Sequence, residues 1–207
     1  MKLKNYNDAF FKYLNSGSSK SAELIIPLIV DQLSIQSVLD VGCGQGAWLS
    51  IWQKYGVKNI FGIDGNYVNN LLIDEQYFLP HNLDNAFDLE SKFDLVQCLE
   101  VVEHLPKDKS RIIIESLIRH GDVVLFSAAT KGQGGDNHIN EQSYEYWRSI
   151  FSDYEYVPID FIRPIISNIN GIEPWYTYNI ILYVSADYIC NLPQSIKDCI
   201  VPEVKKL

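Results

Sequence analysis

The chain has 207 residues, of which 47% are hydrophobic and 21% charged, which is typical of one globular domain and short for two. Its formal net charge of −9 repels polyanions and argues against a nucleic-acid-binding protein. No apolar run approaches the roughly 20 residues needed to cross a bilayer, and the N-terminus lacks the apolar core of a secretory signal, so we expect a cytoplasmic protein without a membrane span.

Apolar strands alternate with amphipathic helices along the first two thirds of the chain. After a polar N-terminal arm, the pattern predicts, in order, helix 19–33, strand 37–42, helix 46–56, strand 57–64, short helix 66–73, strand 76–83, strand 93–100, helix 107–121 and strand 122–129. This alternation predicts a parallel sheet with helices on both faces.

The last third has a different pattern, with a helix at 141–151 and strands at 154–160 and 175–185. Two strands with no full helix between them suggest an antiparallel pair at one sheet edge. We therefore predict a single α/β domain over residues 1–207, built on a mostly parallel seven-stranded sheet with an antiparallel C-terminal edge pair. Residues 18–130 would form a cofactor-binding core, and residues 131–185 the substrate-side loop, helix and strand pair.

A glycine-rich loop follows the first predicted strand in the segment VLDVGCGQGAW. Gly42, Gly44 and Gly46 allow the backbone to approach a ligand closely, and the next helix begins with free N–H groups. The same glycines, with Ala47, also satisfy a dinucleotide fingerprint, so they do not identify the ligand alone.

Two aspartates narrow the choice of ligand. Asp40 lies two positions before the first glycine, where a carboxylate suits a cationic ammonium group better than a pyrophosphate. Asp64 ends the second strand, close to the offset of about 20 residues at which an acid binds ribose hydroxyls. These residues predict a ligand with a ribose, an amino-acid-like cation and no diphosphate.

Ionisable side chains follow the fourth predicted strand in the segment CLEVVEHL. If the chain turns helical there, Glu100, Glu103 and His104 lie on one face. Two neighbouring carboxylates resist joint ionisation unless a cation compensates, and this donor set suits Mg²⁺, Mn²⁺, Fe²⁺ or Zn²⁺. His138, in the glycine-rich loop after the fifth strand, is the candidate fourth ligand.

The segments VLDVGCGQGAWL, GIDG and FDLVQCLEVVEHL resemble the successive motifs of class I S-adenosylmethionine-dependent methyltransferases, in order from about residue 20 to residue 130. The resemblance implies S-adenosylmethionine as the cofactor. Asp40 and the loop glycines would line its methionine part, and Asp64 would bind its ribose.

The adenine contact is less regular in this sequence. Family members often carry an acid after the third strand, whereas this chain has Asn82, with Asp84 two residues on. The Asn82 amide could hydrogen-bond the edge of the adenine ring. Leu83 and Leu99 complete the expected cofactor contacts.

The pattern E-x-x-E-H, followed by a histidine after the fifth strand, resembles the metal-dependent O-methyltransferases, which include small-RNA 2′-O-methyltransferases and ubiquinone-pathway O-methyltransferases. The resemblance implies Glu100, Glu103, His104 and His138 as ligands of a divalent cation that binds vicinal substrate oxygens. In a metal-free alternative, His104 or His138 acts as a general base or positions the substrate.

The segments GGDNHINEQSYEYW and GIEPWYTYNIILYV resemble small bacterial methyltransferases of surface polysaccharides and nucleotide sugars. This implies a small-molecule acceptor, a sugar or nucleotide-sugar hydroxyl. Trp147, Trp175 and Tyr176 could stack on a pyranose, but for each of them a core position is the simpler expectation. Arg163, near a proline, is expected at the surface.

Three hypotheses remain from the sequence. The first is an O-methyltransferase that acts on a sugar, a nucleotide sugar or a glycan. The second keeps the fold but changes the acceptor to RNA ribose or to a quinol-type phenol, of which RNA is disfavoured by the net charge. The third is a catalytically idle domain that binds the cofactor as a regulator. The sequence predicts no oligomeric state.

Overall fold

The computed structural model describes residues 8–206, with side chains from residue 16 onward. Helices and strands alternate up to residue 64, and no α-helix separates the strands that follow up to residue 99. In order they are α1 (Asp8–Val30), β1 (Ser37–Val41), α2 (Ala47–Lys54), β2 (Asn59–Asp64), β3 (Phe78–Pro80), β4 (Leu95–Leu99), α3 (Ser110–His120), β5 (Val123–Ser127), α4 (Tyr144–Ser152), β6 (Tyr156–Ile159), α5 (Ile162–Ile166), α6 (Pro174–Asn179), β7 (Ile181–Ser185) and α7 (Gln194–Lys197).

The strands form one seven-stranded sheet in the order β3-β2-β1-β4-β5-β7-β6. Pairing is parallel from β3 to β5, and β7 runs antiparallel to both β5 and β6. Every residue of β1, β4 and β5 is buried, as expected for parallel strands covered on both faces. The predicted fold class is confirmed, including the antiparallel strands at the C-terminal edge.

Helices cover both faces of the sheet, and each face has its own apolar layer. One layer contains residues of α1, α2, α5 and α6, and the other contains residues of α3 and α4. The indole of Trp147 lies in the second layer, 2% exposed, so its expected core position is confirmed. No helix among residues 8–206 has the length and hydropathy to span a bilayer.

The helix predicted at residues 66–73 is wrong, because this segment forms turns that lead into a short 3₁₀ turn at Glu75–Tyr77. Its asparagines favour turns, and Asn70 adopts a φ of +54°. Backbone groups of the segment form hydrogen bonds with Gln45 of the glycine loop instead of bonds within a helix. The side-chain amide of Gln45 donates to the carbonyl of Asn69, and the N–H of Leu72 donates to the carbonyl of Gln45. The third strand is correspondingly short.

The predicted strand at residues 175–185 is half wrong, since α6 occupies its first part and only β7 is extended. Pro174 is at the beginning of α6, a position that suits its fixed φ and missing N–H. With α5 and α6, the connection between β6 and β7 contains two short helices that the sequence pattern did not predict, although no full helix separates the strands, as expected. Helix α1 also begins earlier than predicted, and residues 1–7 of the expected arm lie outside the described residues.

The surface position expected for Arg163 is also wrong. Its side chain is 1% exposed and forms a salt bridge with Asp160, and it donates a hydrogen bond of 2.9 Å to the carbonyl oxygen of Tyr178. The guanidinium also lies over the ring of Tyr144, 5.3 Å from its centroid. A buried arginine needs such partners, and these ones fix the chain next to α6.

Candidate active site

The glycine loop lies at the carboxyl end of β1, where ligands bind in open α/β sheets. Gly42, Gly44 and Gly46 adopt φ values of +81°, +54° and +86°, which favour glycine. A Cβ atom on Gly42 would lie 2.3 Å from Cγ2 of Val101, whereas one on Gly44 would meet no atom within 4 Å. The loop is therefore packed against the segment after β4 on one side and open on the other.

Asp64 fastens this loop to the end of β2. Its carboxylate accepts hydrogen bonds from the backbone N–H of Gly44 (2.7 Å), the backbone N–H of Gly65 (2.6 Å) and the hydroxyl of Tyr67 (2.6 Å). Burial raises the pKa of Asp64, and these hydrogen bonds oppose the rise. The predicted ribose-binding acid thus lies beside the predicted cofactor loop.

Asp40 lies within β1, is 4% exposed and pairs in register with Gln97 of β4. Burial raises its pKa to about 8; the Gln97 side chain opposes the rise, and the nearby charge of Asp64 adds to it. Among the described residues no lysine, arginine or histidine forms an ion pair with Asp40. A buried carboxyl without a cation is suited to the ammonium group of a ligand.

The residues predicted to contact adenine lie on the loop after β3 and at the end of β4. Asn82 is exposed, and its side-chain oxygen accepts a hydrogen bond of 3.1 Å from the N–H of Asp84. Leu83 and Leu99 are buried, 7% and 8% exposed. The loop after β3 starts next to Asp64, because the backbone N–H of His81 donates a hydrogen bond of 2.7 Å to the backbone carbonyl of Asp64. The adenine contacts themselves stay predictions.

The chain does not continue as an α-helix after β4. Glu100 has a φ of +56°, and its N–H is hydrogen-bonded to both the carbonyl and the hydroxyl of Ser127, each at 3.1 Å. A short 3₁₀ turn follows at Val102–His104. This turn, together with the loop after β5, brings Glu103, His104 and His138 together, with one ligand atom of each within 4.8 Å of the others.

Glu103 is the most unusual residue of this cluster. Its side chain is completely buried, and neither carboxylate oxygen makes a hydrogen bond of normal geometry, although the backbone N–H groups of Glu103 and Ala129 and the Glu100 carboxyl lie close enough to influence its pKa. Burial, followed by the charge of the neighbouring Glu100, raises its pKa well above the usual range. Buried polar atoms are almost always satisfied, so this carboxylate indicates a missing binding partner.

His104 has a related environment. Its Nδ1 atom is buried without a hydrogen-bond partner, and its ring lies edge-on to that of His138 with 4.9 Å between centroids. Burial lowers the pKa of His104, and the neighbouring His138 lowers it further. The imidazole is therefore neutral near pH 7 and presents a lone pair, which is what a metal ion or a proton requires.

Glu100 is outside this three-residue cluster, although sequence analysis grouped it with the other ligands. Its Oε1 accepts a hydrogen bond from the amide of Asn179 (3.1 Å), and its Oε2 accepts one from the amide of Gln133 (3.5 Å). The Asn179 amide also donates to Oε1 of Gln133, at 3.0 Å. Sequence analysis missed Asn179, which lies in the segment that it assigned to a strand.

His138 is held by a residue that sequence analysis also missed. Its Nδ1 lies 2.9 Å from Oε1 of Glu141, and the same carboxylate accepts hydrogen bonds from the backbone N–H groups of Gly132 and Gly134. The spacing H-x-x-E was visible in the sequence, but nothing in it distinguished Glu141 from the other acidic residues nearby.

The residues of this cluster fit a divalent cation. One carboxylate and two imidazoles form a donor set common for first-row metals, and the carboxylate is buried without a partner. The cluster also adjoins the glycine loop, since Val101 lies against Gly42. The cluster of Glu103, His104 and His138 therefore begins two residues after a side chain that packs on the glycine loop.

Comparison with known proteins agrees with this geometry. A family model described as "Methyltransferase domain" matches residues 6–160. The ubiquinone biosynthesis O-methyltransferase of Coxiella burnetii is 32% identical over 136 residues, an alignment that covers 56% of each chain. The chain thus spans little more than half the length of this curated relative.

Two solved structures have the same fold at low sequence identity. Magnesium protoporphyrin IX methyltransferase (ChlM) from Synechocystis, with bound SAH, is 18% identical with a TM-score of 0.58, covering 89% of this chain and 90% of that one. CalS10, an amino pentose methyltransferase from Micromonospora echinaspora with bound SAM, is 12% identical with a TM-score of 0.60, covering 90% and 100%. By its sequence match and its sheet topology, the chain belongs to the methyltransferase-domain family and has the class I S-adenosylmethionine-dependent fold.

Proposed function

We propose that this protein is an S-adenosylmethionine-dependent O-methyltransferase whose acceptor presents two neighbouring oxygens, with the hydroxyls of a sugar or nucleotide sugar as the first candidate. The observation that carries the proposal is the buried Glu103 carboxylate, which has no partner of its own. It lies beside His104 and His138 and next to a glycine loop of the type that holds this cofactor.

In this proposal the cofactor supplies a methyl group on a positively charged sulfur, and the protein binds and aligns it. Asp40 pairs with the ammonium group of the methionine part, and Asp64 accepts hydrogen bonds from the ribose hydroxyls. Asn82 bonds the adenine edge, while Leu83 and Leu99 form apolar walls. Gly42, Gly44 and Gly46 let the backbone approach closely, as side chains at these φ values would not.

In this proposal the acceptor binds at the cluster of Glu103, His104 and His138. Glu103, His104 and His138 would hold a divalent cation such as Mg²⁺, with Glu100 beside Glu103 available to complete the set. A cation there would lower the pKa of a hydroxyl, which is otherwise a weak nucleophile near neutral pH. In a metal-free version of the mechanism, Nδ1 of His104, which is buried without a hydrogen-bond partner, would accept the hydroxyl proton.

The reaction needs alignment more than chemical assistance. The acceptor oxygen forms a bond to the methyl carbon while the carbon–sulfur bond breaks and its electron pair remains on sulfur. The acceptor proton leaves to a basic group or to water. Because the cluster adjoins the glycine loop, an acceptor held at Glu103 is placed near the methyl donor, and such positioning can supply several kcal/mol of the barrier reduction.

A second acceptor class is favoured by the sequence comparison. The Coxiella burnetii relative is named as a ubiquinone biosynthesis O-methyltransferase, which supports the quinol-type phenol as the acceptor. The amino pentose methyltransferase among the structural neighbours is consistent with a sugar acceptor. Both classes offer the paired oxygens that the site would bind, and the net charge of −9 opposes RNA as the acceptor.

The test is an activity assay with both acceptor classes. Purified protein is incubated with S-adenosylmethionine and Mg²⁺, and with either a nucleotide sugar or catechol, and S-adenosylhomocysteine release and the acceptor mass are measured. We expect the mass of one acceptor to increase by one CH₂ unit, and this activity to be lost in Glu103→Gln. Glu145→Gln is the matched control, because Glu145 pairs with Arg148 at the surface.

The outcomes decide between the metal-dependent and metal-free mechanisms, between the two acceptor classes, and between an enzyme and an idle domain. Activity that survives EDTA and Glu103→Gln but is lost on removal of the His104 imidazole supports the metal-free version and contradicts the metal site. Cofactor binding without transfer to either acceptor class supports the idle domain. Transfer to catechol alone replaces the sugar by the phenol as the acceptor.

A further inference from the structure

We propose that Glu141 is a positioning residue. It fixes the ring orientation and the tautomer of His138, and it holds the glycine-rich loop at residues 131–137 against this histidine. The proposal extends the proposed function, because His138 is one of the residues assigned to the acceptor side of the site. Among the described residues, the hydrogen bonds of the Glu141 side chain go to Gly132, Gly134 and His138, and not to Glu103 or His104.

Three donors of one loop converge on the Glu141 carboxylate. Its Oε1 lies 2.7 Å from the N–H of Gly134 and 2.9 Å from Nδ1 of His138, and its Oε2 lies 2.8 Å from the N–H of Gly132. The side chains of His138 and Glu141 are 13% and 19% exposed, so water has limited access to the contact between them, whereas the two bonds to the glycines are exposed. One carboxylate therefore connects both halves of the loop to the histidine.

This arrangement determines which ring nitrogen carries the proton. An ionised carboxylate can only accept hydrogen bonds, so Nδ1 of His138 must be the donor. In the neutral imidazole the lone pair is then on Nε2. Nε2 is the nitrogen left to bind a metal ion or a substrate hydroxyl, as in histidine ligands whose other nitrogen donates to a carboxylate.

The opposite side of the ring is limited by Gly135. A Cβ atom at this position would lie 2.3 Å from Nε2 of His138 and 2.4 Å from its Cε1. A side chain there would displace the ring. Glu141 and Gly135 thus define the ring position from two directions, which would be unnecessary for a histidine that is merely a loop residue.

The chain offers a matched control four residues further on. Glu145 forms an ion pair with Arg148, is 57% exposed and makes no contact with the loop glycines among the described residues. Glu141→Gln and Glu145→Gln each remove one negative charge, at positions four residues apart in the chain. Only the first replaces the acceptor facing His138 Nδ1 by an amide group that can donate.

The direct test is the tautomer of His138, measured at pH 8 by ¹⁵N NMR of histidine-labelled protein without cofactor or metal. The chain has four histidines, so the His138→Ala variant assigns the resonance. We expect the Nδ1–H tautomer in the wild type and in Glu145→Gln. In Glu141→Gln we expect a loss of that tautomer and faster hydrogen exchange at the amides of Gly132 and Gly134.

A second measurement relates the tautomer to binding. Co²⁺ titration should give a dissociation constant about 10–100 times higher for Glu141→Gln than for the wild type, with partial recovery in Glu141→Asp. Circular dichroism establishes that the variants are folded, and Glu141→Asp takes the place of Glu141→Gln in both tests should the latter unfold.

The proposal is overturned by an Nε2–H tautomer in the wild type, or by a Glu141→Gln variant with unchanged tautomer and Co²⁺ binding within twofold of the wild type. The proposed function can fail separately. If the wild type binds no Co²⁺, the metal site is contradicted, while the tautomer and the hydrogen exchange still decide the role of Glu141.

Discussion

Replacing Asp40 by asparagine should stabilise the cofactor-free protein and at the same time weaken its cofactor binding. The Asp40 carboxyl is buried, and its pKa is raised from 3.8 to about 8. The folded state therefore holds a proton that the unfolded chain releases at much lower pH. Stability accordingly falls as the pH rises from about 4 to about 8, and the full cost of ionising Asp40 is present above that range.

The size of the effect follows from this shift. A change of about 4 pKa units at about 1.4 kcal/mol per unit gives a ceiling of about 6 kcal/mol at pH 8 and above. Relaxation and water entry reduce such costs, so we expect Asp40→Asn to raise the free energy of unfolding by about 2–4 kcal/mol at pH 8. At pH 5 the gain should fall to about 1–2 kcal/mol, because Asp40 then stays protonated in the folded state, while the unfolded chain, with the usual pKa of 3.8, has already released the proton.

The assay is urea unfolding at pH 5 and pH 8, with and without S-adenosylmethionine. Asp31→Asn is the control, since Asp31 is exposed and should show no pH-dependent difference from the wild type. We also expect Asp40→Asn to weaken S-adenosylmethionine binding about tenfold or more, because the amide cannot pair with an ammonium group. A variant that is less stable than the wild type at pH 8, or that binds the cofactor equally well, would refute this reasoning.

Two further predictions concern the glycine loop and the Glu100 contact. Gly42→Ala should destabilise the protein by about 1–3 kcal/mol and abolish S-adenosylhomocysteine binding, because the φ of Gly42 is +81° and the new methyl group would overlap Val101. Gly44→Ala is the control and should destabilise the protein less, because a methyl group there would meet no atom within 4 Å. Equal losses of stability in urea unfolding would contradict the packing argument. Asn179→Ala should lower kcat/KM for the acceptor about tenfold, because Glu100 loses a hydrogen bond of 3.1 Å, while the affinity for S-adenosylhomocysteine stays unchanged. An unchanged kcat/KM would show that Asn179 does not position Glu100.

The fold could be predicted from the sequence because its strands and main helices follow simple hydrophobic patterns. The buried runs of β1, β4 and β5 have no polar face, which indicates parallel strands between two helix layers. The prediction was wrong where local preference competes with tertiary contacts. Residues 66–73 have an apolar pattern, but hydrogen bonds to the glycine loop hold them as turns. Pro174 begins a helix that includes the first residues of the predicted strand 175–185.

The candidate site was predictable to the extent that it lies in motifs near strand ends. Glu103 and His104 were predicted from their spacing after the fourth strand and His138 from its position in the loop after the fifth strand, and the structure brings the three together through a 3₁₀ turn in place of the expected helix. Glu141 and Asn179 were missed because their roles depend on what they contact, and an ordinary polar residue carries no signal of that in a single sequence.

The measurement that tests the account most directly is a crystal structure of the protein with S-adenosylhomocysteine and Mn²⁺, using the anomalous signal of the metal. We predict the ribose at Asp64, the amino group at Asp40 and an anomalous peak between Glu103, His104 and His138. A nucleoside bound away from the two aspartates, or a cluster without metal whose histidines face away from the homocysteine sulfur, would contradict it.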